Sequence, residues 1–225
     1  MENPMNTKSL EPKVVATPRS GARLIPMLIV TGLVALGAGV WTYKSESIQR
    51  FVFSPKNFAA VEAGGIYRSG QIQDYWVRDV LEKHKIARIV NLGVDKPKPD
   101  QIAEREAASD LKIERHTYYL MGDGTGPTES YVKAIRDIKA ARDANQPILV
   151  HCSAGAQRTS GVIALYQLLV EKKPIDDIRA HVLEFHDPQD NPKLFLYLNE
   201  NVGTIARRLV EEGVIDRVPD SIPKF

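Results

Sequence analysis

Val150-His151-Cys152-Ser153-Ala154-Gly155-Ala156-Gln157-Arg158-Thr159-Ser160-Gly161 is the stretch whose reading decides the fold. The apolar run 147–150 leading into it predicts a buried strand, and 162–170 after it predicts a helix packed on one side. A strand, a loop of small residues and a helix N-terminus together make an anion site. Loop N–H groups converge there, and the helix start adds unpaired N–H groups and a positive dipole end. The same field favours a thiolate at Cys152, which makes that residue a nucleophile at neutral pH. Arg158, at the far end of the loop, carries a rigid fork able to hold two phosphoryl oxygens. These are the groups of a phosphate-transfer site with a covalent cysteine intermediate. The candidate phosphate-binding residues are Ser153, Ala154, Gly155, Ala156, Gln157 and Arg158.

Three other readings of the stretch fit less well. A Walker-type nucleotide loop needs Gly-Lys-Ser/Thr after its glycines, and this loop has no lysine. A metal site lacks ligands, because His151 and Cys152 are adjacent and the chain has no second cysteine. An inert buried thiol is common at a strand end, but an arginine six residues on would be a costly neighbour for a purely apolar core.

The pattern His-Cys, five residues, Arg, then Ser or Thr resembles the P-loop of the cysteine-dependent protein tyrosine phosphatases, including the dual-specificity group. The segment Ile66-Tyr67-Arg68-Ser69-Gly70-Gln71 is similar to the Tyr-Arg-Ser-Gly-Gln entry of small bacterial and fungal-type members. The likeness extends from Gly65 to about Arg208. It departs at Gln157, where many members carry Gly, Ser, Lys or Asp, and this bears on substrate class. Taken alone, Tyr67-Arg68 reads as a strand end with a solvated charge. The resemblance instead implies that the segment packs near the active-site floor, and no chemical step is assigned to it.

The chain has 225 residues, 43% of them apolar, so it can bury one sizeable core and is short for two catalytic domains. A net charge of +2 with mixed signs and no long basic run gives no argument for nucleic-acid binding. The single cysteine excludes an intramolecular disulfide framework.

Residues 1–23 read as a disordered polar tail and 24–43 as a transmembrane helix, uncharged and long enough to cross a bilayer. Trp41 and Tyr43 stand where an interfacial aromatic pair would lie. A cleaved signal peptide is the rival reading, but it usually has a shorter leader. The expected location is therefore a single-pass membrane protein with the membrane as a partner. Lys8, Lys13, Arg19 and Arg23 before the segment, against Lys44, Arg50 and Lys56 after it, tip the domain weakly to the extracytoplasmic side. Residues 44–63 read as a connector holding a possible strand at 51–53, 64–212 as the catalytic domain and 213–225 as a C-terminal tail.

Within the catalytic domain the pattern predicts helices at 74–85, 101–109 (acidic and basic residues outward) and 128–142, the last with Thr128 as its N-cap. Further helices are expected at 175–186 and over the 194–211 region, with strands at 87–92 and within 111–120. This order argues for an α/β fold: a central, mostly parallel sheet with helices on both faces and the reactive loop at a strand C-terminus.

The leaving oxygen needs a proton. Asp123, in Met121-Gly122-Asp123-Gly124-Thr125-Gly126-Pro127, sits on a glycine-rich loop able to close over the anion pocket, about thirty residues before the cysteine. The resemblance implies an acid on the corresponding loop; Asp95 is the nearest competitor. His116 reads as an outward residue on its strand, and His181 and His186 as surface or packing residues. Thr159 is placed to donate to Cys152 as it departs in the second step, and Ser160 could substitute less well. His151, by the resemblance, orients the loop around the cysteine. No cofactor is required, because Arg158 and the amides already neutralise the phosphoryl group. The expected activity is phosphomonoester hydrolysis through a phosphocysteine, on a phosphotyrosine or dual-specificity protein substrate. Inositol phosphates or phosphoinositides form the enzyme alternative, and a non-catalytic phosphate-binding module the other. Oligomeric state is not legible.

Overall fold

The computed structural model describes residues 55–186 and 192–225. The tail at 1–23, the apolar segment at 24–43 and the strand expected at 51–53 lie outside those residues. Five strands build one sheet: β1 (Ala59–Glu62), β2 (Ile66–Ser69), β3 (Arg88–Asn91), β4 (Glu114–Thr117) and β5 (Ile148–His151). Their order across the sheet is β1-β2-β5-β3-β4. The strands β2, β5, β3 and β4 run parallel, while β1 pairs antiparallel with β2 through an irregularity at Ala60/Glu62.

The expected mostly parallel sheet is thus corrected to a mixed one. Its first strand falls inside the stretch read as a connector, because Ala-Ala-Val-Glu carries no alternation to announce it. A tight return at Gly64-Gly65 then folds β2 back along β1.

The membrane expectation is corrected as well. Among the described residues no helix is long and apolar enough to cross a membrane. The transmembrane anchor, the membrane as partner, and the single-pass location with its extracytoplasmic lean are set aside on that finding.

The helices are α1 (Asp74–Lys83), α2 (Pro99–Asp110), α3 (Thr128–Asp143), α4 (Gln157–Leu169), α5 (Ile175–Leu183) and α6 (Lys193–Glu211). Strand alternation sends Tyr67, Ile89 and Leu149 to one face of the sheet, where α1 and α2 cover them with Val77, Val80, Leu81, Ala107 and Ala108. Ile66, Val90, Ile148 and Val150 point to the other face, against α3 to α6. From Thr159 to Leu169 every residue of α4 is buried. A helix apolar all round belongs inside a core, and α4 sits there with α3, α5 and α6 about it. Full burial of each of Ile148, Leu149 and Val150 is worth roughly 1.5–3 kcal/mol. This packing makes the carboxyl end of β5 a rigid platform for the loop that follows.

Helix α3 starts one residue differently from expectation. Pro127, in extended conformation, takes the N-cap position, and Thr128 is the first helical residue. Proline there loses nothing, since the first N–H groups of a helix have no internal partner.

Candidate active site

The cysteine loop runs from the end of β5 into α4, with Cys152 2% exposed. Its carbonyls are tied from outside. Ser153 O accepts from Gln71 N–H at 3.2 Å, Ala154 O from Asn57 Nδ2 at 2.9 Å and Gly155 O from Arg68 Nη2 at 2.6 Å. In a trans peptide the N–H points opposite to its C=O. Three outward carbonyls therefore turn the N–H groups of Ala154, Gly155 and Ala156 toward the inside of the loop. The Gly155 N–H is seen doing so, donating to Cys152 Sγ at 3.2 Å. Gly155 makes the turn possible: its φ is +69°, and a side chain there would overlap Gly70 N and Ser69 C.

Arg158 stands in the first turn of α4, and its Nη1 donates to Leu92 O at 3.4 Å, just past the end of β3. That stretch is held by Asn91, whose Oδ1 accepts from Gly93 N–H at 2.9 Å. Thr159 is fully buried, and its hydroxyl has no hydrogen-bond partner in the structure. Ser160 is engaged otherwise, its Oγ accepting from Arg68 Nη2 at 2.8 Å.

His151 is fully buried at the end of β5, with Nε2 3.2 Å from Glu104 Oε2, at ion-pair distance though not aligned as a hydrogen bond. Glu104 also accepts from Gln71 Nε2 and from Arg115 Nε, each at 2.9 Å. Burial pushes the Glu104 carboxyl up, but His151 and Arg115 outweigh burial and hold it at about 2. Arg115 in turn reaches Asp95 Oδ1 at 2.6 Å. Asp95, the competing acid, is thereby committed to Arg115, which lowers its carboxyl, with Thr117 adding a bond at 3.1 Å.

Asp123 lies between β4 and α3. Its Oδ1 accepts from Thr125 Oγ1 at 2.7 Å and from Thr125 N–H at 3.1 Å, and its Oδ2 is 3.7 Å from Lys193 Nζ. The Thr125 hydroxyl holds its carboxyl below the ordinary value; slight burial opposes this, while the Thr125 N–H and Lys193 reinforce it. The backbone beside it abuts the cysteine loop. A side chain at Gly124 (φ +84°) would meet Leu194 Cδ1 at 2.6 Å and Gln157 O at 3.5 Å. Tyr131, buried on α3, clamps the loop by donating to Gly124 O at 2.5 Å.

Residues 63–173 match the family model described as "Tc-R-P: Polymorphic toxin system, DSP-PTPase phosphatase". Solved structures share the fold. TpbA of P. aeruginosa is 18% identical over 70% of this chain and 98% of its own, at TM-score 0.54. PTPMT1 is 12% identical over 68% and 99%, at TM-score 0.57. The catalytic core of SIW14, a PP-IP phosphatase from S. cerevisiae, is 21% identical over 71% and 94%, at TM-score 0.54. No curated protein matches. The chain is a cysteine-dependent phosphatase, and its fold is that of the tyrosine and dual-specificity superfamily.

Three residues around the phosphatase loop escape a reading of the sequence. Glu104 is expected on an outward helix face, yet it is fully buried against His151. Asn57 lies in the supposed connector and holds Ala154. His181, expected as a surface or packing residue, lies 3.1 Å from Arg68 Nη1 through its Nε2. A charged residue inside a helix otherwise short of apolar positions is the one available signal for Glu104. His116 reaches Asp137 Oδ2 at 2.6 Å through Nδ1, on the far side of β4 from Glu104.

Proposed function

We propose that this phosphatase acts on phosphotyrosine-bearing proteins, with or without phosphoserine and phosphothreonine, as a member of the dual-specificity-like branch. The observation that carries the reading is the loop itself: between Cys152 and Arg158 it offers inward amides and neutral side chains only. Such a cradle neutralises one phosphoryl group and leaves the rest of the substrate to shape. A structure of TpbA with phosphotyrosine, 18% identical over 70% of this chain, adds support.

In the proposed mechanism Cys152 Sγ attacks phosphorus in line and the bond to the leaving oxygen breaks. The amides from Ser153 to Arg158 and the Arg158 fork hold the equatorial oxygens, where negative charge is concentrated. Asp123 gives its proton to the leaving oxygen. Water then attacks the phosphocysteine, Asp123 takes the proton, and the S–P bond breaks to release phosphate. Thr159, whose buried hydroxyl is unpartnered, donates to the departing sulfur. His151, anchored by Glu104, sets the direction in which the strand delivers the cysteine.

A second reading rests on a separate observation. Lys193 places an ammonium beside Asp123, outside the loop, where it could meet an additional phosphate of an inositol substrate. PTPMT1 has been solved with PI(5)P, and SIW14 is a PP-IP phosphatase. Comparing kcat/KM on phosphotyrosine peptides, phosphoserine and phosphothreonine peptides, PI(5)P and inositol pyrophosphates decides between them. The expected order has phosphotyrosine peptides first. A preference of about tenfold or more for either inositol substrate would reverse it.

A further inference from the structure

Arg68 is among the largest side chains in the molecule that water does not reach. It sits on β2, directly beside β5, in register with Val150. Its Nη2 donates to Gly155 O at 2.6 Å and to Ser160 Oγ at 2.8 Å, and its Nη1 lies 3.1 Å from His181 Nε2. Its carbon centre stacks 3.6 Å over the Phe185 ring, and its Nε–H has no partner at all. Every partner is neutral or a dipole. A guanidinium buried without a carboxylate is expensive, and folds rarely keep one unless its charge is used.

The charge is left facing the site. Burial lowers the Arg68 guanidinium to about 10, and the group that opposes this most is Cys152, followed by Glu184. Glu184 is itself exposed and 3.9 Å from His181. The groups best placed to answer Arg68 are thus Cys152 and, in the proposed mechanism, the phosphoryl group it attacks. The direction of the bond to Gly155 adds a second effect. By holding the Gly155 carbonyl outward, Arg68 fixes the plane of the peptide that carries the Ala156 N–H and turns that donor inward.

We propose that Arg68 is a second arginine of the phosphate site, a positioning residue acting from beneath the loop while Arg158 acts from its end. It aims the Ala156 N–H at the phosphoryl group and supplies the buried positive charge that favours the anionic forms of nucleophile and ligand. This rests on the reading of Cys152 as nucleophile.

The test compares full-length Arg68→Met and Arg68→Lys with the parent. Three readouts are taken: the rate at which iodoacetamide alkylates Cys152 at neutral pH, inhibition by inorganic phosphate, and kcat and KM for p-nitrophenyl phosphate. Folding is checked by circular dichroism. Arg68→Met should slow alkylation about tenfold and weaken phosphate inhibition by a similar factor. Arg68→Lys keeps the charge but loses the fork, so alkylation should stay within about twofold of the parent while phosphate inhibition weakens. If Arg68→Met does not fold, Arg68→Gln, which keeps an amide donor for Gly155 O, takes its place with the same expectation. Parent-like alkylation and phosphate inhibition in a folded neutral variant would overturn the proposal. Equal loss of alkylation in the lysine variant would reduce Arg68 to a packing role and overturn it too. Turnover surviving in Cys152→Ser would instead sink the nucleophile reading on which the proposal stands.

Discussion

His151 Nε2 and Glu104 Oε2 lie 3.2 Å apart where neither side chain reaches water. This contact joins the residue before the nucleophile to the middle of α2, on the opposite face of the sheet from α4. Gln71 and Arg115 complete the shell of Glu104, so one buried carboxylate draws contacts from the end of β5, from the turn after β2 and from β4.

That arrangement sets an acid limit on the fold. Folded Glu104 titrates at about 2 against an ordinary value of 4.5, so between those values the unfolded chain binds more protons. Its contribution is complete above pH 4.5 and is lost as pH falls toward 2, on the order of 3 kcal/mol in all. Urea unfolding of the parent should lose stability across that window. Glu104→Gln, which leaves His151 without a carboxylate and Arg115 with Asp95 alone, should be destabilised by roughly 3 kcal/mol at pH 7 and lose less on acidification. A variant as stable as the parent at pH 7 would mean that the carboxylate only fills space.

Asp123 is held as a carboxylate by Thr125, which in the proposed mechanism is the form wanted for the second chemical step and the wrong one for the first. Turnover of a poor leaving group, which needs the protonated form, should therefore decline as pH rises from a point below the ordinary carboxylate range. Thr125→Val removes the hydroxyl and should move that decline to higher pH. Asp123→Asn should remove it altogether and cut kcat by roughly 10²–10⁴, less for an activated aryl phosphate. If the profile of Thr125→Val overlays the parent's, the hydroxyl does not govern the acid.

The cysteine loop is legible in the sequence because it is local: Cys152, the small residues after it and Arg158 fall within seven consecutive residues. What supports the loop is not. Glu104 belongs to a helix whose charges all look alike in sequence, and only the crossover from β3 to β4 reveals that one of them faces His151. The Pro-Lys-Asn turn at 55–57 is legible, but nothing in it names a partner for Asn57, and β1 after it has no alternation, so the antiparallel edge and the tether on Ala154 stay hidden together. Arg68 reads as a solvated charge on its strand alone, since period-two alternation says which face it takes but not what covers that face.

Gly155 and Gly122 offer a controlled contrast within one chain. Gly155 needs its positive φ, and an added methyl would overlap backbone of Ser69 and Gly70, which cannot yield without breaking the β2 end. Gly122 has nothing within 4 Å of such a methyl. Gly155→Ala should lose phosphate binding and cost more than the roughly 1–2 kcal/mol of left-handed strain alone. Gly122→Ala should fall within about 0.5 kcal/mol of the parent. Thermal melts with and without phosphate check both, and phosphate protection surviving in Gly155→Ala would show that the loop can reshape around the methyl.

His181 should give the proposed phosphate site a dependence on mild acid. Its Nε2 can accept from Arg68 only when the ring is neutral with the proton on Nδ1, the nitrogen 3.9 Å from Glu184. Burial lowers its titration from the ordinary 6.5, Arg68 and Lys173 lower it further, and Glu184 works against them. Below 6.5 the unfolded chain binds the proton first, so stability from this contact is present above that pH and is lost as pH falls below it. Protonated His181 would also face Arg68 as a like charge and loosen its hold on Gly155. The parent should therefore lose both melting temperature and phosphate affinity as pH falls below 6.5, before carboxylates such as Glu104 titrate. His84, remote from the loop on the end of α1, also titrates low through burial and Lys83, so His84→Gln serves as the control. His181→Gln keeps an acceptor for Arg68 without the titration and should flatten the phosphate-affinity profile, whereas His84→Gln should leave it sloped. A slope that persists in His181→Gln would place the acid sensitivity elsewhere in the molecule.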